Sequence, residues 1–241
     1  MKNFWQKKYT LRAGDFDKFD RIKPSAILDL FQDAAGQHAE EIGVGFSDMI
    51  ARKYLWVLTR IKFKIILPPR RYHTVTVKTW PLEPNRLNYR REYCIEDQHG
   101  QRLVVGSSEW VVIHSKERKL LSVPDLYNLD GDYHNEVMFE EKAKKVRDFE
   151  NIGEPYVINT GFCDLDVNDH VNNIKYANYV LDAISPKKDD LLEVFQIDYR
   201  KEVMQGTQLN IYHNKQDNVI LSKGQNNDGD IMFACRIELK E

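Results

Sequence analysis

The chain has 241 residues, 42% hydrophobic and 30% charged, with a formal net charge of -2 at pH 7. That is enough material for one large domain or two small ones with real cores, in a composition typical of soluble globular proteins. The near-neutral balance excludes a global basic field for nucleic acid, and the longest apolar runs, such as Ile65-Ile66-Leu67, are far too short to span a bilayer.

The N-terminus, Met1-Lys2-Asn3-Phe4-Trp5-Gln6-Lys7-Lys8, lacks the apolar core of a signal peptide. Tyr9–Arg12 reads as a strand. Pro24 and Ser25 open a helix, Pro being suited to the first helical position, and Ile27, Leu30, Phe31, Ala34, Ala35 and His38 follow at helical spacing. Gly43 and Gly45 end it. Strands are expected at Lys53–Leu67, stopped by Pro68-Pro69, then at His73–Trp80, Arg86–Ile95 and Arg102–His114, with Asp97-Gln98-His99-Gly100 as a turn. Trp56, Trp80 and Trp110 read as sheet and core residues. The segment 135–151 is charged and poorly patterned for a core, and reads as a partly helical linker. The second half repeats the order in shorter form. Tyr156–Cys163 is a strand candidate. Ile174, Ala177, Leu181 and Ile184 form a helical stripe that Tyr176, Tyr179 and Val180 widen, with Asn172 or Asn173 as cap. Strands follow near Val194–Val203, Gln208–His213, Val219–Lys223 and Ile231–Leu239, with Asn226-Asn227-Asp228-Gly229 as a turn. Cys94, Cys163 and Cys235 are odd in number and widely spaced, which argues against a disulfide framework and for a reducing cytoplasm.

One long helix plus antiparallel strands, occurring twice, predicts an α+β chain of two similar units: 1-134, a linker at 135-151, and 152-241. A helix wrapped by a curved antiparallel sheet is the hotdog arrangement, and two in one chain make a double hotdog, an internal pseudo-dimer. A further homodimer stays open.

The densest chemistry lies in Asp164-Leu165-Asp166-Val167-Asn168-Asp169-His170-Val171-Asn172-Asn173. Burying so many polar groups without partners is costly. A weaker copy, Asp15-Phe16-Asp17-Lys18-Phe19-Asp20-Arg21-Ile22-Lys23, stands 149 residues earlier (Asp15 against Asp164). There Phe19 and Arg21 replace Asn168 and His170. Aligning Ile61-Lys62-Phe63 with Ile197-Asp198-Tyr199 sets Ile66 opposite Glu202. One active site is therefore expected, in the second half. The Asp164-x-Asp166-x-Asn168 spacing also opens like a calcium loop, but Asp169 and Lys175 stand where that loop needs Gly and Glu. Asp164 reads as a turn residue, and Cys163 as an inert small one.

The segment from Asp164 through Lys175-Tyr176 resembles the signature of the acyl-ACP thioesterases. Tyr199-Arg200-Lys201-Glu202, Thr79-Trp80-Pro81 and the stretch from Ala34-Ala35 to His38-Ala39-Glu40, Gly43-Val44-Gly45-Phe46 fit the same family. The resemblance implies a double hotdog, hydrolysis of fatty acyl-ACP thioesters with no cofactor or metal, a cytoplasmic bacterial-type member, and acyl carrier protein as partner. Carried over by position, the catalytic residues are Asp166, Asn168, His170 and Glu202. Many plant members have a cysteine after that Glu; here it is Val203, so a thiol at this position cannot be essential.

Thioester hydrolysis needs an activated water or nucleophile and a donor for the oxyanion. An imidazole ordinarily titrates near pH ~6.5. His170 and Glu202 are expected to hold and deprotonate the water, and Asn168 to donate its amide. Asp166 either orients the site or attacks as a carboxylate nucleophile. Backbone N–H groups at the start of the Ile174 helix are candidate oxyanion donors. Arg70-Arg71, Arg90-Arg91 and Lys142-Lys144-Lys145 read as solvated faces, any of which could dock the acidic carrier protein. Two other readings stand beside this one: an acyl-CoA thioesterase on the same fold, and a non-catalytic acyl-binding protein.

Overall fold

The computed structural model describes residues 3–123, 126, 127, 129 and 132–240. Met1 and Lys2, where the N-terminal reading begins, lie outside them. The chain divides into two compact units. The first is the chain up to Lys23 plus Ile27–Lys142, and the second is Pro24–Ala26 with the chain from Ala143 onward.

The first unit runs β1 (Trp5–Thr10), α1 (Pro24–Glu41), α2 (Phe46–Ala51), β2 (Tyr54–Ile65), β3 (Thr74–Pro81), β4 (Tyr89–Glu96), β5 (Arg102–His114) and β6 (Leu120–Leu121). Its sheet is antiparallel in the order β1-β3-β4-β5-β2, with β6 paired to β5. Ile27, Phe31, Ala34 and His38 put the buried stripe of α1 on the sheet. Phe31 stacks on Tyr93 of β4 at 4.4 Å. A Cβ on Gly106 of β5 would lie 2.3 Å from the Phe31 ring, so this glycine is what lets helix and sheet meet. Gly43, at φ 69, turns the chain after α1.

Two local expectations fail here. The first strand starts at Trp5 rather than Tyr9. It is an edge strand in which Gln6, Lys7 and Lys8 are all exposed, so the run fits although it looks polar. The short helix α2 was not expected. Six residues carry too little periodicity to be seen, and Glu40 Oε1 accepting the Phe46 N–H at 3.0 Å is a tertiary cap.

The second unit runs β7 (Tyr156–Asn159), α3 (Lys175–Ile184), β8 (Leu192–Tyr199), β9 (Gln208–Gln216), β10 (Val219–Gln225) and β11 (Ile231–Leu239). Its antiparallel order, β7-β9-β10-β11-β8, repeats the path of the first sheet strand for strand. α3 buries Tyr176, Ala177, Tyr179 and Val180, with Tyr176 edge-on to Phe233 of β11 at 5.1 Å. Asn172 does help start this helix: its Oδ1 accepts the Ile174 N–H at 3.0 Å. β7 stops at Asn159, four residues before the expected Cys163, because Phe162–Asp164 form a single 3-10 turn. β8 stops at Tyr199, not Val203. Arg200 and Lys201 both donate their N–H to Met232 C=O, which closes the ladder and sends Glu202 out of the sheet.

The segment 135–151 has no helix. In the first unit Glu136 C=O accepts from Trp80 Nε1 at 2.8 Å, Met138 N–H donates to Glu92 at 2.7 Å and Phe139 C=O accepts from Arg90 at 3.0 Å. In the second, Lys144 C=O accepts from Gln196 at 2.7 Å, Val146 N–H donates to Asp198 at 2.8 Å, and buried Lys223 reaches Asp148 and Phe149 C=O. Its backbone thus satisfies polar side chains rooted in the sheets, a role that local charge patterning hides. The same contacts correct the reading of Arg90-Arg91 as a solvated face. Arg90 pairs with Glu92, and Arg91, only 4% exposed, donates to His38 Nδ1 at 2.9 Å and Thr79 at 3.2 Å.

Candidate active site

The two copies of the acidic loop are folded alike. Each begins with a 3-10 turn, Ala13–Asp15 and Phe162–Asp164. The first aspartate of each caps its own turn: Asp15 accepts from Arg12 N–H at 2.6 Å and Asp164 from Gly161 N–H at 2.8 Å. This makes Asp164 a turn residue, as expected. The next aspartate accepts a backbone N–H two residues on, Phe19 to Asp17 and Asn168 to Asp166, both at 2.8 Å. Each loop then turns through a left-handed aspartate, Asp20 at φ 61 and Asp169 at φ 60, and closes with a bridge, Phe16 to Ile22 and Leu165 to Val171. Aspartate tolerates that conformation better than a branched residue, which accounts for its recurrence.

What differs is the chemistry mounted on the frame. In the second copy His170 Nε2 lies 3.5 Å from Glu202 Oε2. One backbone bond brings them together: Val171 N–H donates to Val203 C=O at 2.8 Å, so the residues just before each partner face one another. Val203 itself is buried. Asn168 is exposed at the loop tip, and Asp166 is half-buried with Oδ1 engaged by the Asn168 N–H. In the first copy Arg21 closes on Asp17, with Nε 2.8 Å from Oδ2.

The sheet register corrects the partner assigned to Glu202. Ile66 and Leu67 both donate to Leu103 C=O, as Arg200 and Lys201 both donate to Met232 C=O. Ile66 therefore matches Arg200, and the position of Glu202 is held by Pro68. A slip of two leaves every side chain on the same face of a strand, so sequence alignment cannot detect it. Proline, like isoleucine, offers no acid or base at that position.

The start of α3 is partly spent as a source of oxyanion donors. Ile174 N–H goes to the Asn172 side chain and Lys175 N–H to Asn172 C=O. Tyr176 and Tyr179 are buried on the helical stripe, as the sequence predicts, and with Tyr199 of β8 they also approach the loop. Tyr199 OH donates to Asn173 C=O at 2.9 Å. Burial, then the charges of Asp166 and Glu202, raises the Tyr176 phenol well above its ordinary value, so it stays protonated beside both carboxylates. The Tyr179 hydroxyl is buried outside hydrogen-bonding geometry, yet close enough to Asp164 for that charge to add to burial in raising its pKa. Their signal in the sequence is their place beside the motif on the helical stripe. Lys175 Nζ, 3.5 Å from Asp164, ties the helix back to the turn. Cys163 is exposed and unpaired in any disulfide.

The family model for the acyl-ACP thioesterase N-terminal domain matches residues 2–128, and that for the C-terminal domain residues 154–241. A chloroplastic acyl-[acyl-carrier-protein] hydrolase of Cuphea viscosissima is 25% identical over 213 residues, covering 82% of this chain and 52% of its own length. A chloroplastic oleoyl-acyl carrier protein thioesterase of Arabidopsis thaliana is 26% identical over 220 residues, covering 83% and 61%. The chain thus spans little more than half the length of these plant relatives. An acyl-ACP thioesterase structure from Bacteroides thetaiotaomicron superposes with a TM-score of 0.89 at 21% identity, covering 99% of this chain and 98% of the other. The 12:0-ACP thioesterase of Umbellularia californica gives 0.88 at 21%, covering 100% and 98%. These likenesses make the fold a double hotdog, α+β as expected. With both domain models matched along nearly its whole length, the chain belongs to the acyl-ACP thioesterase family.

Proposed function

We propose that the protein hydrolyses fatty acyl-ACP thioesters, releasing free fatty acid and acyl carrier protein, with Asp166, Asn168, His170 and Glu202 as its catalytic set. The 3.5 Å approach of His170 to Glu202 on a loop closed by backbone hydrogen bonds carries this reading. The imidazole takes a proton from water as the oxygen attacks the thioester carbon, and Glu202 stabilises the imidazolium that forms. The tetrahedral oxyanion collapses, the C–S bond breaks, and the leaving thiolate takes the proton back from His170. Asn168, exposed at the loop tip, offers its amide to the substrate carbonyl. Asp166 holds that tip in place through the Asn168 N–H, which favours an orienting role over attack. The rival covalent route has a direct test: in a single turnover in heavy-oxygen water, label found in Asp166 would overturn the water route.

The first unit supplies the acyl-chain pocket on this reading. Its support is an apolar cluster of Ile42, Val44, Met49, Tyr89, Val112 and Tyr127, with Trp56 and Trp110 packed against it. Trp56 stacks on Tyr127 at 5.9 Å. The buried free thiols of Cys94 and Cys235 accord with a reducing cytoplasm. No helix among the described residues is long and apolar enough to cross a membrane. The deciding experiment is thiol release from matched acyl-ACP and acyl-CoA series, with His170→Ala alongside. A preference for acyl-ACP abolished by His170→Ala is the expected result; turnover of CoA esters alone, or acyl binding without turnover, would overturn it.

A further inference from the structure

The loop in the first unit that matches the active-site loop has lost its acid–base groups and gained positive charge. Where the second copy has Gly161, Val167 and Asn172, the first has Arg12, Lys18 and Lys23. The hairpin after β2 adds to this: by the register shared through Leu103 and Met232, Arg70 and Arg71 stand where the second unit has Met204 and Gln205. Five basic residues thus replace five uncharged ones.

They form one surface. Tyr72 N–H donates to Leu11 C=O and Leu11 N–H to His73 C=O, which lays the Arg70–Arg71 corner beside Arg12. Arg71 grips Asp20 at the loop tip through both Nε and Nη2. Lys23 N–H donates to Asp15 C=O, closing the loop base. Against these five cations stand Asp15, Asp20 and Asp29, the last close enough to Arg12 to feel its charge, while Asp17 is neutralised by Arg21. The excess is therefore positive, whereas in the matching segments of the second unit the four acids Asp164, Asp166, Asp169 and Glu202 outnumber the three cations Lys175, Arg200 and Lys201. Lys18 and Arg70 are exposed and make no ion pair among the described residues.

The other two basic runs are unsuited to docking. Arg90 and Arg91 are occupied inside the first unit. Lys142, Lys144, Lys145 and Arg147 are matched in number by Glu140, Glu141, Asp148 and Glu150, so that stretch presents no excess charge.

We infer that this basic corner, Arg12, Lys18, Lys23, Arg70 and Arg71, is the docking surface for the acidic face of the carrier protein. This rests on the acyl-ACP reading above. Complementary charge of this kind speeds encounter and fixes register, and it weakens with salt. The loop could take on this role because its repeat carries the chemistry.

The test is steady-state kinetics of wild type and the double variant Lys18→Glu/Arg70→Glu on acyl-ACP, at low and high salt, with a neutral acyl-pantetheine thioester as second substrate and thermal midpoints to confirm folding. The expected result is a rise in KM for acyl-ACP of about ten-fold at low salt, with kcat retained and a flatter salt dependence. An unchanged KM in the folded variant, with wild type active on acyl-ACP, overturns the docking surface and leaves the function intact. Wild type that cleaves the neutral thioester but not acyl-ACP overturns the functional reading itself. A KM rise in Lys142→Glu/Lys145→Glu rather than in the first variant would move the dock to the inter-unit segment and overturn the assignment.

Discussion

At the residue scale, two loops with the same backbone differ only in what they carry, and that isolates the chemistry. His170→Ala removes the only base 3.5 Å from Glu202 in this loop and should cut kcat by about 10²–10⁴. Arg21→Ala removes a loop-internal pair with Asp17 and should leave kcat largely intact, at a stability cost of about 0.2–1 kcal/mol. A loss as deep as that of His170→Ala would put a second active site in the first unit. Asp166→Asn separates the two roles of that carboxylate. The amide oxygen can still accept the Asn168 N–H, so an orienting role predicts that activity is largely kept, whereas a nucleophile would lose it. Comparing Asp166→Asn with Asp166→Ala in thiol release reads this directly.

At the element scale, α1 meets its sheet most closely at the Phe31 ring, and the sequence marks that contact only as an unremarkable glycine. A Cβ at Gly106 would meet Phe31 at 2.3 Å, deep under α1. Gly106→Ala should therefore cost about 1–3 kcal/mol in denaturant unfolding. A neutral result would mean that α1 can lift from β5. The helices α1 and α3, strands β3, β5 and β11, and both Asp- or Asn-led turns were legible because periodicity, proline and turn chemistry all act within a few residues. Asp97 accepting from His99 and Gln101, and Asn226 from Asp228 and Asp230, are such local devices. The edge strand β1, the helix α2 and the end of β8 were not legible. β1 and the end of β8 are set by distant partners, Thr79 opposite Trp5 and Met232 taking two N–H groups, and α2 by a side-chain cap from the end of the preceding helix, Glu40 at Phe46.

At the scale of the whole molecule, the segment joining the units couples charge to folding. Lys223 holds the Asp148 carboxyl below its ordinary value, and Arg102 does the same for Glu136. A depressed folded-state pKa gives stability that is present above about pH 4 and lost as pH falls through the folded value. Burial of Glu92 acts in the opposite sense by raising its pKa, so its contribution is present in acid and fades as pH rises. The two lowered groups predict a falling urea midpoint below pH 4, which Asp148→Asn should make shallower; an unchanged profile would mean that the segment is not held by these pairs. The sequence by itself determined the α+β repeat, the loop with Asp166, Asn168 and His170, and its disarmed copy, because local spacing and self-similarity are written along the chain. Only the tertiary structure decided that His170 meets Glu202, that Pro68 rather than Ile66 stands in for that glutamate, that Arg91 is buried, and that the charged segment at 135–151 is strapped to the sheets. Those outcomes depend on strand register and on hydrogen bonds between residues far apart in sequence, and a period-two pattern is blind to a slip of two.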